Sequence, residues 1–126
     1  MSAEFDPTRP IYLQIMEGIK AGAVRGEYRP GAQLPSVREM AGHLRVNPNT
    51  LARAYNELER EGFITTRRGE GSFVTGDTGR VERERRALAE AARDRFAEEM
   101  RALDMHAEQV ASLLRPILEE AGDADS

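Results

Sequence analysis

Apolar residues in the first part of the chain recur at the spacing of amphipathic helices. Ile11, Ile15 and Ile19, with Tyr12, Met16 and Ala23, fall on one face of a 3.6-residue period. Pro10 stands where a first helical residue has no use for its amide, so the pattern predicts helix one over 10–25. Gly26 to Gly31 carries two glycines and a proline, which demands a turn-rich connection, and a very short strand is expected at Ala32 to Leu34. Ser36 followed by Glu39 forms a capping box, and Val37, Met40, Ala41 and Leu44 then share one face, so helix two starts at Ser36 and ends near Leu44. Asn47-Pro48 joins a capping side chain to a proline at the first helical position. Helix three therefore runs from Pro48 to about Glu61, with Leu51, Tyr55 and Leu58 inward and Gly62 in the left-handed position that ends it.

From Phe63 the period changes to that of strands. FITTRR and GSFVT are β-branched and aromatic, and Gly69-Glu70-Gly71 between them signals a hairpin. Gly76 to Gly79 reads as a linker into a charged, alanine-rich segment. Leu88, Ala92, Phe96, Met100 and Leu103 lie on one stripe there, and Val110, Leu113, Leu114, Ile117 and Leu118 on another. Two helices are expected, over 80–103 and 105–120, with Asp104 capping the second, Pro116 kinking or shortening it, and the terminal AGDADS frayed. The predicted fold is mainly α with a small β-hairpin: a winged helix-turn-helix over 1–76, followed by a two-helix dimerisation segment over 77–126. Its expected core is Ile11, Ile15, Ile19, Val37, Met40, Leu44, Leu51, Tyr55, Leu58 and Phe63.

Composition narrows the function. A chain of 126 residues holds one compact domain, or a minimal module with an appended helical segment, and leaves no room for a large catalytic domain. No apolar run is long enough to span a bilayer, and MSAEFDPTRP lacks the basic and apolar regions of a secretory signal, so a cytoplasmic protein without a membrane partner is expected. The absence of cysteine removes disulfides, thiol nucleophiles and thiolate metal sites. His43 and His106 have no ligand at metal spacing and read as surface residues, so neither a metal nor a cofactor is expected. No glycine-rich phosphate loop or nucleophile motif is present, which argues against an enzyme.

The formal net charge of −4, taken alone, argues against a nucleic-acid partner. Its distribution reverses that inference. Residues 1–76 hold ten Lys+Arg against nine Asp+Glu, whereas residues 77–126 hold eight against thirteen. The acidic residues Glu82, Glu84, Glu90, Asp94, Glu98 and Glu99 alternate with arginines and read as a solvated helix face.

The outward face of helix three carries Asn47, Asn49, Thr50, Arg53 and Asn56, with no carboxylate until Glu57. Asparagine pairs bidentately with adenine, arginine with the O6 and N7 of guanine, and a threonine methyl touches thymine, which is the chemistry of a major-groove reader. Ser36 and Arg38 at the start of helix two suit phosphate contacts. Arg67, Arg68 and Gly69 at the hairpin tip would follow the backbone or enter the minor groove. Alone, such a tip reads as solvated surface, and Asn47 as a cap; Asn49, Thr50 and Arg53 have no comparable structural reason to be there. The apolar stripe of Leu88, Ala92, Phe96, Met100, Leu103, Val110, Leu114 and Ile117 has three readings, ranked in this order: a dimer interface, packing on the winged unit, or a small ligand groove.

The run LPSVREMAGHLRVNPNTLARAYNELEREGFI followed by TRRGEGSFV resembles the DNA-binding domain of the GntR family of bacterial regulators, from about Pro10 to Val74. The short C-terminal part is similar to the YtrA-type subfamily, in which two helices mediate dimerisation and enclose no metabolite pocket. The resemblance implies DNA contacts at Arg38, Asn47, Asn49, Thr50, Arg53 and the Arg68-Gly69 wing tip. Two departures stand out: Ala52 replaces an arginine that some branches place against DNA, and Arg45 stands at a turn position where the family often has glycine. The expectation is a sequence-specific regulator, a repressor in the family it resembles, that binds double-stranded operator DNA as a homodimer on an inverted repeat. An unidentified small-molecule effector remains open, and the alternative is a winged-helix interaction adaptor without DNA binding.

Overall fold

Five helices and one two-stranded sheet follow in the order α1 (Ile11–Arg25), α2 (Val37–Leu44), α3 (Pro48–Arg60), β1 (Ile64–Arg67), β2 (Gly71–Val74), α4 (Thr78–Ala102) and α5 (Ala107–Ala124). The computed structural model describes residues 4–124. The chain forms two compact units, the first ending at Leu88 and the second starting at Ala89. The class is the expected one, mainly helical with a small hairpin.

In the first unit each helix boundary follows from a local signal. Pro10 precedes α1 with extended ψ of 133°, so the helix starts one residue later than predicted. At the far end Gly26 is left-handed, and the amides of Gly26 and Glu27 return to the carbonyls of Ala23 and Gly22. Both halves of the capping box form on α2: the Glu39 amide donates to Ser36 Oγ at 3.1 Å, and the Ser36 amide to Glu39 Oε1 at 3.3 Å. The α2 end turns on Arg45, at φ 56° and ψ 49°, with the Val46 amide on the Ala41 carbonyl. Asn47 Oδ1 accepts the Asn49 amide at 2.7 Å to open α3, and left-handed Gly62 closes it.

The hairpin pairs Ile64 with Val74 through Arg67 with Gly71. The short strand expected at 32–34 reduces to a bridge of Gln33 with Phe73, held by Leu34 N to Ser72 O at 2.8 Å and Val74 N to Ala32 O at 2.9 Å. β2 is thereby flanked on both sides. The core gathers Ile15, Ile19, Leu51, Leu58 and Phe63 with Met40, Leu44 and Tyr55, as the pattern required. Ile11 and Val37 are only half-buried, while Met16, Ala23, Leu34, Ala41, Ala54, Ile64 and Val74 complete the interior. The Tyr55 hydroxyl donates to the Pro35 carbonyl at 2.7 Å, tying α3 to the residue just before the α2 cap.

The expected linker is shorter than predicted. Asp77 Oδ1 accepts the amides of Gly79 and Arg80, so α4 starts at Thr78 despite the flanking glycine. Its first turns belong to the winged unit. Val81 is buried, Arg85 donates to the Val24 carbonyl at 3.0 Å, and Lys20 meets Glu61 at 2.7 Å and Glu84 at 4.0 Å.

In the second unit Asp104 has φ 56°, a conformation an N-cap does not use. Its amide bonds to Arg101 O and that of Met105 to Met100 O, so Asp104 ends α4 instead of capping α5. His106 opens α5: its amide donates to Gln109 Oε1 at 2.8 Å and its carbonyl accepts Val110 N at 2.9 Å. Pro116 lies inside α5, which runs on to Ala124 instead of ending near 120. The amide missing at Pro116 frees the carbonyl of Ser112, an exposed residue, so water can take the place of the lost bond. Residues 121–124, expected to fray, are helical, and the rest of that expectation lies outside the described residues.

Candidate nucleic-acid interface

α2 and α3 are joined by Arg45, Val46 and Asn47, and the left-handed Arg45 sets the angle at which α3 leaves. Burial of Leu51, Ala54, Tyr55 and Leu58 fixes the rotation of α3 and turns the opposite face outward. Asn49, Arg53 and Asn56 are exposed there, with Thr50 half-buried beside them. Their spacing of four and three residues makes one stripe. No side-chain polar atom of Asn49, Thr50 or Asn56 has a hydrogen-bond partner among the described residues. These donors and acceptors are left to water or to a ligand.

At the start of α2, Ser36 Oγ is used as an acceptor by the cap but keeps its proton to donate, and Arg38 is exposed. Asn47 is used in the same way: its oxygen caps α3 and its amide nitrogen has no partner among the described residues. In the wing, Arg67 and Arg68 are exposed and Gly69 sits at the tip with φ 80°. The Arg67 guanidinium lies 4.3 Å from the centroid of the Phe73 ring.

Charge in this unit separates into two sets. Arg9, Lys20, Arg25 and Arg60 each have a carboxylate partner: Glu17, Glu61, Glu27 and Glu57 respectively. Arg29, Arg38, Arg45, Arg53, Arg67 and Arg68 have none among the described residues. Apart from Arg29, between α1 and α2, these unneutralised cations fall at the start of α2, in the turn, on α3 and in the wing.

Three participants carried no sequence signal of their role. Tyr12 of α1 lies under the Arg53 guanidinium, 3.8 Å from ring centroid to Cζ. Gln33 donates to the Glu70 carbonyl at 2.8 Å and holds the wing tip. Arg45 joins the free cations. The first two act through contacts between residues far apart in the chain, which no local pattern reveals.

The second unit carries the apolar stripe. Phe96, Met100, Val110 and Leu114 line a groove of about 700 Å³ between α4 and α5, with Met105 and Leu118. Leu103 and Ile117 are exposed at 68% and 60% but are not part of its lining. Ala92 is exposed, and Leu88 is half-buried at the end of the first unit. Among the described residues there is no group of His, Asp or Glu arranged to hold a metal, and no helix is long and apolar enough to cross a membrane.

A sequence profile for bacterial regulatory proteins of the gntR family matches residues 11–74. The uncharacterized HTH-type transcriptional regulator YhcF of Bacillus subtilis (strain 168) is 41% identical over 110 residues, covering 87% of this chain and 91% of that one. The HTH-type transcriptional repressor YtrA of the same organism is 47% identical over 74 residues, 57% of each chain. Among solved structures, a GntR family transcriptional regulator from Listeria monocytogenes superposes with a TM-score of 0.81 at 39% identity, covering 89% of this chain and 98% of that one. The DNA-binding domain of AraR in complex with operator ORR3 matches with a TM-score of 0.52 at 27% identity, over 60% of this chain and 88% of that one.

Proposed function

This chain belongs to the gntR family of bacterial regulatory proteins, and from that premise we propose that it is a cytoplasmic repressor that binds an inverted-repeat operator as a homodimer. The observation that carries the reading is the α3 stripe of Asn49, Arg53 and Asn56, exposed, free of carboxylates and flanked by unneutralised arginines in the turn and wing. Side chains so arranged at the start of a recognition helix reach base edges in the major groove. Asn47, Asn49, Thr50 and Arg53 read bases. Ser36, Arg38, Arg67, Arg68 and Gly69 hold phosphates or the minor groove. The AraR DNA-binding domain, similar to this unit, is known in complex with operator ORR3, which supports DNA as the partner of such a unit.

Residues 77–126 supply dimerisation in this proposal. Leu103, Leu113, Ile117 and Leu118 are all more than half exposed, and the α4–α5 groove is apolar. A single copy leaves that surface in water at a cost of about 25 cal/mol per Å², which association removes. A two-fold dimer presents α3 twice in opposite directions, hence the inverted repeat.

Unbiased selection of binding sites with the full chain should return a palindrome with half-site centres about one helical turn, roughly 34–36 Å, or a multiple apart. Inserting about half a turn, roughly 5 bp, between the half-sites should abolish tight binding in a gel shift. Equal affinity for that variant sinks the rigid dimer, and a selection that enriches no sequence favours the interaction adaptor instead.

A further inference from the structure

Arg53 is the one cation in the α3 stripe, and its guanidinium lies 3.8 Å from the centroid of the Tyr12 ring. Tyr12 sits on α1 and is half-buried against the core, so the ring is a fixed platform. Arg53 has no carboxylate and no hydrogen-bond partner among the described residues. The ring contact is what restrains its head.

A stack of this kind engages the flat face of the guanidinium. The five N–H donors point outward in its plane, and the stack leaves them unused. A long arginine otherwise loses much rotamer freedom when it pairs with a base, and that loss weakens binding. Holding the head beforehand, with its donor edge open, moves that cost out of the binding step.

We propose that Tyr12 is a positioning residue for base recognition: its ring sets the plane of the Arg53 guanidinium and thereby sharpens the preference of α3 at the base that Arg53 reads. This rests on the reading that α3 faces operator DNA. The first helix, which touches no base in this proposal, becomes a determinant of sequence preference.

The test uses the full chain and the palindrome returned by selection. Tyr12→Phe keeps the ring, Tyr12→Leu removes it but keeps apolar volume, and each is combined with Arg53→Ala. Tyr12→Leu should weaken binding about 2–5-fold, the range of an exposed cation–π contact. It should relax preference at the base position that Arg53→Ala relaxes. Tyr12→Phe should match wild type, and Tyr12→Leu should have no further effect once Arg53 is alanine. A loss of stability alone would weaken every sequence equally and would not shift that base position.

Additive effects of Tyr12→Leu and Arg53→Ala, tighter binding by Tyr12→Leu, or a Tyr12→Phe defect as large as that of Tyr12→Leu each overturn the positioning role while leaving Arg53 a base reader. An Arg53→Ala chain that binds and selects like wild type overturns the reading of Arg53 itself. A measurement on the unmutated chain decides even if Tyr12→Leu does not fold. The Arg53 Nε order parameter should exceed that of Arg38, which is exposed and has no partner among the described residues, and an equal or lower value means the head is not held.

Discussion

Replacing Arg45 by glycine should stabilise the winged unit. Arg45 occupies the left-handed region at φ 56° and ψ 49°, where its Cβ crowds the following carbonyl at a cost of about 1–2 kcal/mol. Glycine escapes that cost but gives up about 0.5–1 kcal/mol of chain entropy on folding. No native contact offsets the gain, because the arginine side chain is exposed and has no partner among the described residues. Its charge follows the C-terminus of α2, where a cation is favoured, and precedes the N-terminus of α3, where it is not, so the dipole contributions oppose one another. The centres of these ranges leave a net stabilisation of about 0.75 kcal/mol. For a unit of this size that raises the melting temperature by about 3–6 °C. Thermal and urea unfolding should be compared at one protein concentration, since dimerisation makes the midpoint depend on concentration. The urea midpoint should rise with the slope unchanged. A midpoint that stays or falls, with φ at position 45 still positive by NMR, refutes the reasoning.

Two further substitutions probe contacts that position the interface. Tyr55→Phe removes the hydroxyl that donates to the Pro35 carbonyl and should cost about 1 kcal/mol in urea unfolding; a loss below a few tenths means water replaces that bond. Gln33→Ala releases the Glu70 carbonyl at the wing tip, and amide exchange from Arg68 to Gly71 should quicken about 2–10-fold without a change in global stability; unchanged exchange shows that the hairpin holds itself.

How much of this was legible in the sequence depended on whether a boundary is written locally. Ser36 with Glu39, Asn47 with Pro48, and Gly62 each contain the chemistry that ends or starts a helix, and α2 and α3 formed within a residue of the prediction. Asp77 and Asp104 show where that fails. Aspartate serves equally as an N-cap or as a left-handed terminator. At 77 it caps α4, although the glycines around it suggested a linker. At 104 it closes α4 through a six-residue carbonyl return, and the signal that starts α5 was the pair His106 and Gln109. Pro116 does not shorten α5, because the single amide it lacks leaves only the carbonyl of exposed Ser112 to be taken up by water. For the site, polar positions on a helix with one apolar face were readable at once. The contacts of Tyr12 with Arg53 and of Gln33 with Glu70 were not, since they depend on tertiary packing.

Net charge was the least informative quantity, and the structure shows why. The formal −4 sums groups that do not act together. Charges separated by more than about 8–10 Å are screened from one another at ordinary ionic strength, so a phosphate responds only to the cations near it. Within the winged unit Arg9, Lys20, Arg25 and Arg60 are already neutralised by neighbouring carboxylates and offer an anion little. Arg29, Arg38, Arg45, Arg53, Arg67 and Arg68 have no such partner among the described residues. Five of these six stand at the start of α2, in the turn, on α3 and in the wing. The pairing of the other cations is what allows a unit with nearly balanced charge to present unpaired arginines: the carboxylates that form those pairs stand on and just after α1 and at the end of α3, and Arg38, Arg45, Arg53, Arg67 and Arg68 are left without one among the described residues.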